Sequence, residues 1–252
     1  MSKPIKKNQH GQVLGRKGLE TRERLLNAAR DLLQSNSPVQ LTVVSIAEKA
    51  KSSSATFYLY FEDVRDLLLV LSEEAEREMK VVHDVLDESW DPQSLELDHA
   101  SRVVHAFASV WNKHREILRY RNLEADRNDA AFENIRMRTS VRMVSRFADH
   151  IIAAHPEGSL FTYTDAMAEA SVLVAAMERL AATDLEAINK GVGADAMWEG
   201  MTRIIARTLN ASSVAIADKE NALPGAAGNL PAAGKSNAGK STQSGMKKRT
   251  SG

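Results

Sequence analysis

One segment of the sequence has the spacing of a phosphate-binding loop. Gly234, Gly239, Lys240 and Ser241 match the pattern G-x-x-x-x-G-K-[ST], in which backbone N–H groups cradle a phosphate. Such a cradle needs a strand before it and a helix after it, because these elements aim the N–H groups. Here both flanks are low-complexity mixtures of Ala, Gly, Ser, Asn and Lys. We therefore expect an inert segment, or one that adds non-specific attraction to DNA, rather than a nucleotide site.

The other groups that could do chemistry do not combine into a site. Of the seven histidines, His99 and His105 are six residues apart, so they do not share a tight helical face and are expected at the surface or lining a pocket. Two carboxylate pairs stand at predicted helix ends, where capping or solvation explains them: Asp87 with Glu88, and Asp126 with Asp129. No Ser-His-Asp order is evident, although triads also assemble from distant segments. The sequence indicates no catalytic residue, no metal site and no cofactor.

Composition and charge narrow the class of protein. The 252 residues include no cysteine, which excludes disulfides and Cys-based zinc sites and fits a cytoplasmic protein. No apolar run reaches about 18 residues, so no membrane span is expected, and the basic start lacks the apolar stretch of a secretory signal. Residues 1–70 carry 11 Lys and Arg against 7 Asp and Glu, whereas residues 71–212 carry 16 against 24. A basic front end on an acidic body suits a protein that meets a polyanion at one end.

The stretch 42–61 predicts two short helices joined by a tight turn. Thr42 is a good N-cap for a first helix that ends near Lys49, with apolar residues recurring on one face. A run of three serines then breaks the pattern, and Ser53 is a good N-cap for the second helix.

The second of these helices, about 54–60, has two distinct faces. Phe57 and Phe61, at i and i+4, are predicted to be buried. The opposite face is small or apolar and can approach another surface closely; it carries Ser54, Ala55, Thr56 and Leu59. Two helices with such a second member have the layout of a helix-turn-helix, whose second helix enters the major groove of DNA.

The same stretch resembles the signature of the TetR family of one-component regulators. The residues that carry the resemblance are Thr42, Ile46, Ala47, Ala50, Ser53, Tyr58, Tyr60, Phe61, Leu67 and Leu68. It covers about residues 19–71 and is only architectural beyond them. The family usually has Gly-Val in the turn where this chain has Lys51 and Ser52, so we expect Lys51 to adopt a left-handed or bridge conformation. Ser54 also stands where the family often has a basic residue, and Val64, followed by Arg65, where it often has lysine.

The resemblance implies a set of DNA contacts around the second helix. The candidate residues are Thr42, Lys51, Ser53, Ser54, Ala55, Thr56, Tyr58, Leu59, Tyr60 and Arg65. Among them we expect Tyr58 and Tyr60 to contact phosphate or brace the helix. Ser54 and Thr56 are expected to reach base edges.

Apolar periodicity elsewhere predicts an all-α fold, with a small N-terminal helix-turn-helix domain, 19–71, on a larger helical body, 72–212. The family resemblance implies that the first domain binds DNA and that the body binds a ligand and forms a dimer. The helices expected beside the two short ones are about 19–35, 63–88, 91–113, 114–127, 130–154, 163–188 and 194–211.

Both ends of the chain lack apolar periodicity. Residues 1–18 are predicted to form a disordered basic arm, which is either a solvated tail or a segment that orders on phosphate or in a minor groove. Residues 213–252 contain almost no large apolar residue and are predicted to be disordered.

The last two predicted helices are rich in Ala and Met, which allow close and adaptable packing. Their stripes are either internal core or, as the family resemblance implies, a dimer interface formed with a second copy. The interface candidates are Met167, Val174, Met201, Ile205 and Thr208.

Aromatic and Met side chains on several body helices are core by default. The family resemblance implies that some of them line a pocket for an effector. The candidates are Phe107, Trp111, Tyr120, Met143, Phe147 and Met177.

The function that these features favour is sequence-specific binding to a double-stranded DNA operator by a homodimeric repressor that an unknown small molecule releases. Two alternatives stay open: a constitutive DNA-binding protein without an effector, and a helical enzyme that has lost DNA binding.

Overall fold

The computed structural model describes residues 8–9, 11–34, 37–157, 159–183 and 188–211, and the elements within these ranges are helices. This confirms the predicted all-α class. The predicted tail, 213–252, and the first seven residues of the predicted arm lie outside the described residues. In chain order the helices are α1 (Arg16–Leu33), a short 3₁₀ helix (Pro38–Gln40), α2 (Val43–Lys49), α3 (Ser54–Tyr58), α4 (Val64–Glu78), α5 (Lys80–Leu86), α6 (Leu97–Asp126), α7 (Ala130–Ala154), α8 (Tyr163–Ala182) and α9 (Ala194–Thr208).

The predicted helix 63–88 is two helices in the structure. Asp63 caps α4, as expected, by accepting a hydrogen bond from the Asp66 backbone N–H at 2.7 Å. The helix ends at Glu78, and Met79, with a ψ of −10°, separates it from α5. The apolar stripe continues through Met79, which is fully buried, and this is why the pattern alone predicts one helix.

The helix predicted to begin at Asp91 and Pro92 begins at Leu97 instead. Asp91 caps a turn rather than a helix, because its Oδ1 accepts from the Gln93 backbone N–H at 2.9 Å. Its own N–H donates to Glu96 Oε1, also at 2.9 Å, so the two residues close a loop before α6.

Helix α6 bends where two predicted segments meet. His114 has φ −118° and ψ 19°, which are not helical values, although the helix continues on both sides. The bend lies beside the junction of α4 and α5: Glu78 Oε2 is 2.8 Å from Lys113 Nζ and 3.0 Å from His114 Nε2. The Glu78 carboxylate therefore joins the junction of α4 and α5 to the bend of α6.

The remaining helices follow the predicted order. Asn128 has a φ of +67°, which ends α6, and α7 covers the predicted range. Helix α8 ends at Ala182, six residues before the predicted end, and residues 184–187 lie outside the described part of the chain. Helix α9 packs mainly against α6 and less against α8.

The buried apolar side chains form two clusters. The first contains residues of α1 to α4 as far as Leu71, and also Ile117, Ala125 and Phe132 from the body. The second begins at Ala75 and contains the rest of the body helices. The boundary between the two clusters thus falls inside α4. The DNA-binding end nevertheless shares its cluster with the C-terminal part of α6 and the start of α7.

No helix within the described ranges is both long and apolar enough to span a bilayer.

Candidate nucleic-acid interface and effector groove

The turn between α2 and α3 has the strained backbone that the sequence predicts. Lys51 has a φ of +51°, a left-handed conformation that glycine adopts more readily. The Ser52 N–H donates to the Ala47 carbonyl at 2.9 Å, so the turn closes back on α2. Lys51 is exposed, and neither it nor Lys17 forms an ion pair with any residue that the structure describes.

Two hydroxyl-bearing residues fix the starts of the paired helices. Thr42 Oγ1 accepts from the Ser45 backbone N–H at 3.1 Å, and Ser53 Oγ accepts from the Thr56 N–H at 3.1 Å. The side chains of Ser53 and Thr56 also share a hydrogen bond of 3.0 Å. Both predicted caps are confirmed. The capping oxygens stay at the exposed end of each helix.

Helix α3 buries one face and exposes the other, as predicted. Phe57 and Phe61 are buried and pack with ring centroids 5.4 Å apart. Tyr58 is 52% exposed, and its hydroxyl has no hydrogen-bond partner among the described residues. Ala55 and Leu59 are exposed, whereas Ser54, Thr56 and Tyr60 are half-buried. The helix is five residues long, and Leu59 is its C-cap, so the outer face is short.

The predicted arm is ordered over its described part, in contrast to the disorder expected as far as residue 18. Residues 16–18 belong to α1. The Gln9 backbone N–H donates to the Leu59 carbonyl at 3.0 Å, and its side chain donates to Asp66 Oδ2 at 3.1 Å. Gln9 therefore joins the end of α3 to the start of α4. Sequence reasoning missed this role because an isolated glutamine in a polar segment carries no pattern.

Two arginines near α3 are held by aromatic rings as well as by charge. The Arg22 guanidinium lies 5.1 Å from the Phe61 ring centroid, and burial lowers the pKa of Arg22 despite several nearby carboxylates. The Arg65 guanidinium lies 5.4 Å from the Phe132 centroid. Arg65 donates to Asp129 through Nε at 2.8 Å and Nη2 at 2.7 Å, which leaves Nη1 for another acceptor.

The predicted pocket residues fall into two separate places. Five of them belong to the body cluster and are almost completely buried: Phe107, Trp111, Met143, Phe147 and Met177. Tyr120 instead packs against the cluster of the DNA-binding end and lies edge-on to Phe132, with centroids 5.5 Å apart. The six residues therefore do not converge on one cavity in this structure.

An open groove of about 300 Å³ lies between α7 and α8. Its walls are mostly apolar, and the residues that line it include Met137, Val141, Val144, Met167, Val174 and Glu178. Met167 and Val174 were predicted at a dimer interface; the structure places them on this groove. The only carboxylate in its lining is Glu178, which is 19% exposed.

A buried arginine adjoins the groove. Arg121 on α6 is 0% exposed, and its Nη2 lies 3.5 Å from Glu178 Oε1. Its Nε and Nη2 donate to Asn122 Oδ1 at 3.0 and 2.9 Å, but its buried Nη1 has no hydrogen-bond partner among the described residues. Burial lowers the pKa of Arg121 and raises that of Glu178. The sequence carries a signal for this burial, because Arg121 lies on the apolar stripe of α6, between Leu118 and Ala125.

The five interface candidates differ in how far the single chain buries them. Val174, Met201 and Ile205 lie in the core of the single chain, and Ile205 is 0% exposed, so these side chains offer little surface to a second copy. Met167 and Thr208 are half-buried. The apolar side chains that α8 and α9 expose are different ones, chiefly Val172, 69% exposed, and Ile204, 51% exposed.

Residues 82–214 match the family model described as the tetracyclin repressor-like C-terminal domain. No curated protein matches the chain.

Solved structures share the fold at low sequence identity. The fatty acid degradation regulator FadR from Bacillus halodurans has 14% identity and a TM-score of 0.57, covering 77% of this chain and 97% of that one. The MbdR regulator from Azoarcus sp. CIB has 16% identity and a TM-score of 0.55, covering 74% and 97%. A TetR-family regulator from Streptomyces coelicolor has 17% identity and a TM-score of 0.55, covering 83% and 87%.

Proposed function

Since the chain belongs to the TetR family of transcriptional regulators, we propose that it binds an operator as a cytoplasmic homodimer, represses transcription there, and leaves the DNA when its body binds a small ligand. The observation that carries the proposal is the two-faced helix α3. Its aromatic face is committed to the core through Phe57, while Ala55, Tyr58 and Leu59 are left exposed. A side chain such as Tyr58, exposed and without a hydrogen-bond partner, is available to a phosphate.

The DNA contacts proposed are those of the turn and of α3. Lys51, in its left-handed turn, supplies charge next to the helix. Tyr58 and Tyr60 position the backbone of the DNA, and Ser54 and Thr56 reach base edges. The outer face of α3 carries no Lys or Arg and is five residues long, so one copy reads few bases. Specific sites are usually held by two such units related by a two-fold axis.

The second copy is proposed to pack on α8 and α9 through their exposed apolar residues, Val172 and Ile204. This surface replaces the buried stripe that the sequence pattern favours. A two-fold axis would place the two α3 helices in successive major grooves, about 34–36 Å apart.

Release follows from linkage between the ligand and the dimer geometry. A ligand can shift the balance only by its differential affinity for the DNA-fitting and non-fitting geometries. The body and the DNA-binding end share the cluster that contains Ile117, Ala125 and Phe132, so a change in α6 or α7 reaches α1 to α4 directly. We propose that this shared cluster carries the change.

Selection of bound duplexes from a random pool, with the purified full chain, tests the proposal. The expected result is a two-fold symmetric site whose half-sites are about one helical turn apart. The variant Ala55→Glu places a charge on the exposed face of α3 and should abolish enrichment, whereas Glu157→Ala, far from this end, should not. Recovery of no enriched sequence would refute specific DNA binding.

A second candidate is a constitutive DNA-binding protein, in which the open groove between α7 and α8 has no regulatory role. Adding a ligand to the protein bound to its selected duplex separates the two. Displacement of the duplex supports a regulated repressor. A ligand that binds without changing the DNA affinity supports constitutive binding.

A further inference from the structure

Within the described part of the chain, the Arg121 guanidinium is a buried charge with an unsatisfied nitrogen. Its Nη1 carries two N–H donors, neither has an acceptor there, and the side chain is 0% exposed. Leaving such donors without partners is expensive, because neither water nor protein replaces the lost hydration. A group of this kind calls for an acceptor that is absent while the chain is alone.

Glu178 does not supply that acceptor. Its Oε1 reaches Nη2, not Nη1, and the 3.5 Å separation exceeds the roughly 2.7–2.9 Å of a charge-assisted hydrogen bond. The short hydrogen bonds of the guanidinium go to the neutral amide of Asn122. Glu76 also favours the charge of Arg121, but no hydrogen bond joins these two side chains in the described structure, and the positive charge of Arg136 acts against it. The positive charge of Arg121 is therefore only partly compensated.

Arg115, on the same helix, has acceptors for both of its terminal nitrogens. It is half-buried. Its Nη1 donates to the carbonyls of Ala181 and Thr183 at 2.7 and 2.8 Å, and its Nη2 donates to Asn112 Oδ1 at 2.7 Å. Arg115 thus has the structural role of joining α6 to the end of α8. Arg121, six residues later, has donors to spare.

Arg121 lies one side chain away from a space that could hold a ligand. Glu178 both contacts Arg121 and lines the groove between α7 and α8. The groove walls are apolar, and its volume of about 300 Å³ is at the lower end for small-molecule sites. An apolar body would lie along Val141, Val144 and Met167, with an anionic end directed past Glu178.

We propose that this groove binds a small molecule with an apolar body and one carboxylate, and that Arg121 Nη1 donates to the carboxylate. The inference names the ligand class of the effector and so rests on the proposed function for its regulatory meaning. The raised pKa of Glu178 helps, because this side chain can hold a proton beside a second carboxylate.

Three probes of one chain length separate charge recognition from apolar burial: octanoate, 1-octanol and octylamine. Calorimetric titration into the DNA-free full chain should show octanoate binding once per chain. 1-Octanol and octylamine should bind at least about tenfold more weakly, the factor that corresponds to about 1.4 kcal/mol. Equal binding of octanoate and 1-octanol would overturn the proposal, as would preference for octylamine, which would point to Glu178 as the recognition group.

Variants then assign the carboxylate to Arg121. Arg121→Met should lower octanoate affinity at least about tenfold and leave 1-octanol unchanged, whereas Arg115→Met should leave the octanoate preference intact. Glu178→Gln should keep or strengthen octanoate binding, because it removes a competing negative charge. Loss of octanoate binding in Glu178→Gln, or its full retention in Arg121→Met, would overturn the assignment.

Arg121→Met could fail to fold, so a surface variant supplies an independent test. Val141 is half exposed on the groove wall, and Val141→Glu should weaken octanoate binding while thermal unfolding stays near that of the parent chain. Unchanged octanoate affinity in Val141→Glu would place the ligand elsewhere and refute the proposal. Because these titrations contain no DNA, octanoate binding can fail while operator selection succeeds, and the reverse.

Discussion

Arg65 and Asp129, 64 residues apart in sequence, are joined by two parallel hydrogen bonds that tie the start of α4 to the start of α7. Asp129 is at the same time the N-cap of α7, since its Oδ1 accepts from the Ala131 N–H at 3.0 Å. One carboxylate thus begins a body helix and anchors the helix that follows the DNA-reading turn. This pairing connects the orientation of α3 and α4 with the body.

The two roles of Asp129 can be separated by substitution. Asp129→Asn keeps a good N-cap and removes the ion pair, so it should lower the free energy of unfolding by at most about 1 kcal/mol. Asp129→Ala also removes the cap and should cost about 1 kcal/mol more. Urea unfolding measures both. Equal losses in the two variants would contradict a capping role.

The same pair predicts an acid dependence. The hydrogen bonds from Arg65 hold the pKa of Asp129 below its usual value. A depressed folded-state pKa contributes stability above the unfolded-state pKa, about 3.9, and that contribution is lost as the pH falls through the folded value. The difference in unfolding free energy between the parent chain and Asp129→Asn should therefore be constant near neutrality and shrink below about pH 4. A difference that grows on acidification would contradict a lowered pKa of Asp129 in the folded protein.

Arg65 also offers a test of its proposed DNA contact. Nη1 is left over from the pair with Asp129, so it can meet a phosphate while the pair stays intact. Arg65→Ala should weaken binding to all sequences and reduce the slope of log affinity against log salt by about 1. Asp129→Asn serves as the control and should leave that slope unchanged. A slope that Arg65→Ala does not alter would confine Arg65 to the body contact.

Tyr58→Phe isolates one hydroxyl on α3. The hydroxyl has no partner in the ranges that the structure describes, so its removal should leave stability unchanged and weaken DNA binding by about 1 kcal/mol at every sequence alike. Binding assays on the selected operator and on single-base variants of it measure the effect. If Tyr58→Phe relaxed the preference at one base pair only, Tyr58 would be a base-reading residue instead.

A test of the basic arm must keep the contacts of Gln9 intact. Deleting residues 1–18 would remove the first helical residues and the Gln9 contacts along with the charge. The only charged side chains that a deletion of residues 1–7 removes are Lys3, Lys6 and Lys7. This deletion should lower the slope of log affinity against log salt by up to about 3 and keep the preferred sequence. Changing the three lysines to serine at full length should reproduce the result. A full-length serine variant with the parent slope would mean that these charges do not meet DNA.

The proposed dimer interface can be tested at the exposed residues Val172 and Ile204. Ile204→Glu and Val172→Glu place a charge where the single chain leaves an apolar side chain in water, so the folded monomer should lose less than about 0.5 kcal/mol. Light scattering should nevertheless show monomers, because the two-fold axis buries each charge twice. Leu160→Glu, at a loop position that is 98% exposed, is the matched control. Dimers that persist in both variants would place the interface elsewhere.

Some features of this fold are set by neighbours in sequence, and others by residues that are distant in sequence. The turn at Lys51, both N-caps and the burial of Phe57 follow from neighbours in sequence, and they were predictable. Apolar spacing also shows which face of α9 is buried, but it cannot show whether the covering surface belongs to the same chain. Ile205 was therefore assigned to a partner although α6 and its neighbours cover it.

The proposed ligand groove could not be predicted from sequence for a related reason. The partners of Arg121 come from its own helix and from α8, 57 residues later, and no local pattern encodes that meeting. The start of α6 was mispredicted because Asp91 and Pro92 suit the first residues of a helix and of a turn equally well.

The apolar cluster that joins Phe132 to the DNA-binding end has a consequence for building hybrid regulators. A graft cut inside α4 alone would transplant Leu67 and Leu68 without Ile117, Ala125 and Phe132, which complete their cluster. The transplanted DNA-binding domain would then pack against the side chains of another protein, and its Arg65 would lose the hydrogen bonds to Asp129. The exchangeable unit of this protein is discontinuous: it comprises the first 71 residues together with the near ends of α6 and α7, and the seam of a working chimera runs across three helices.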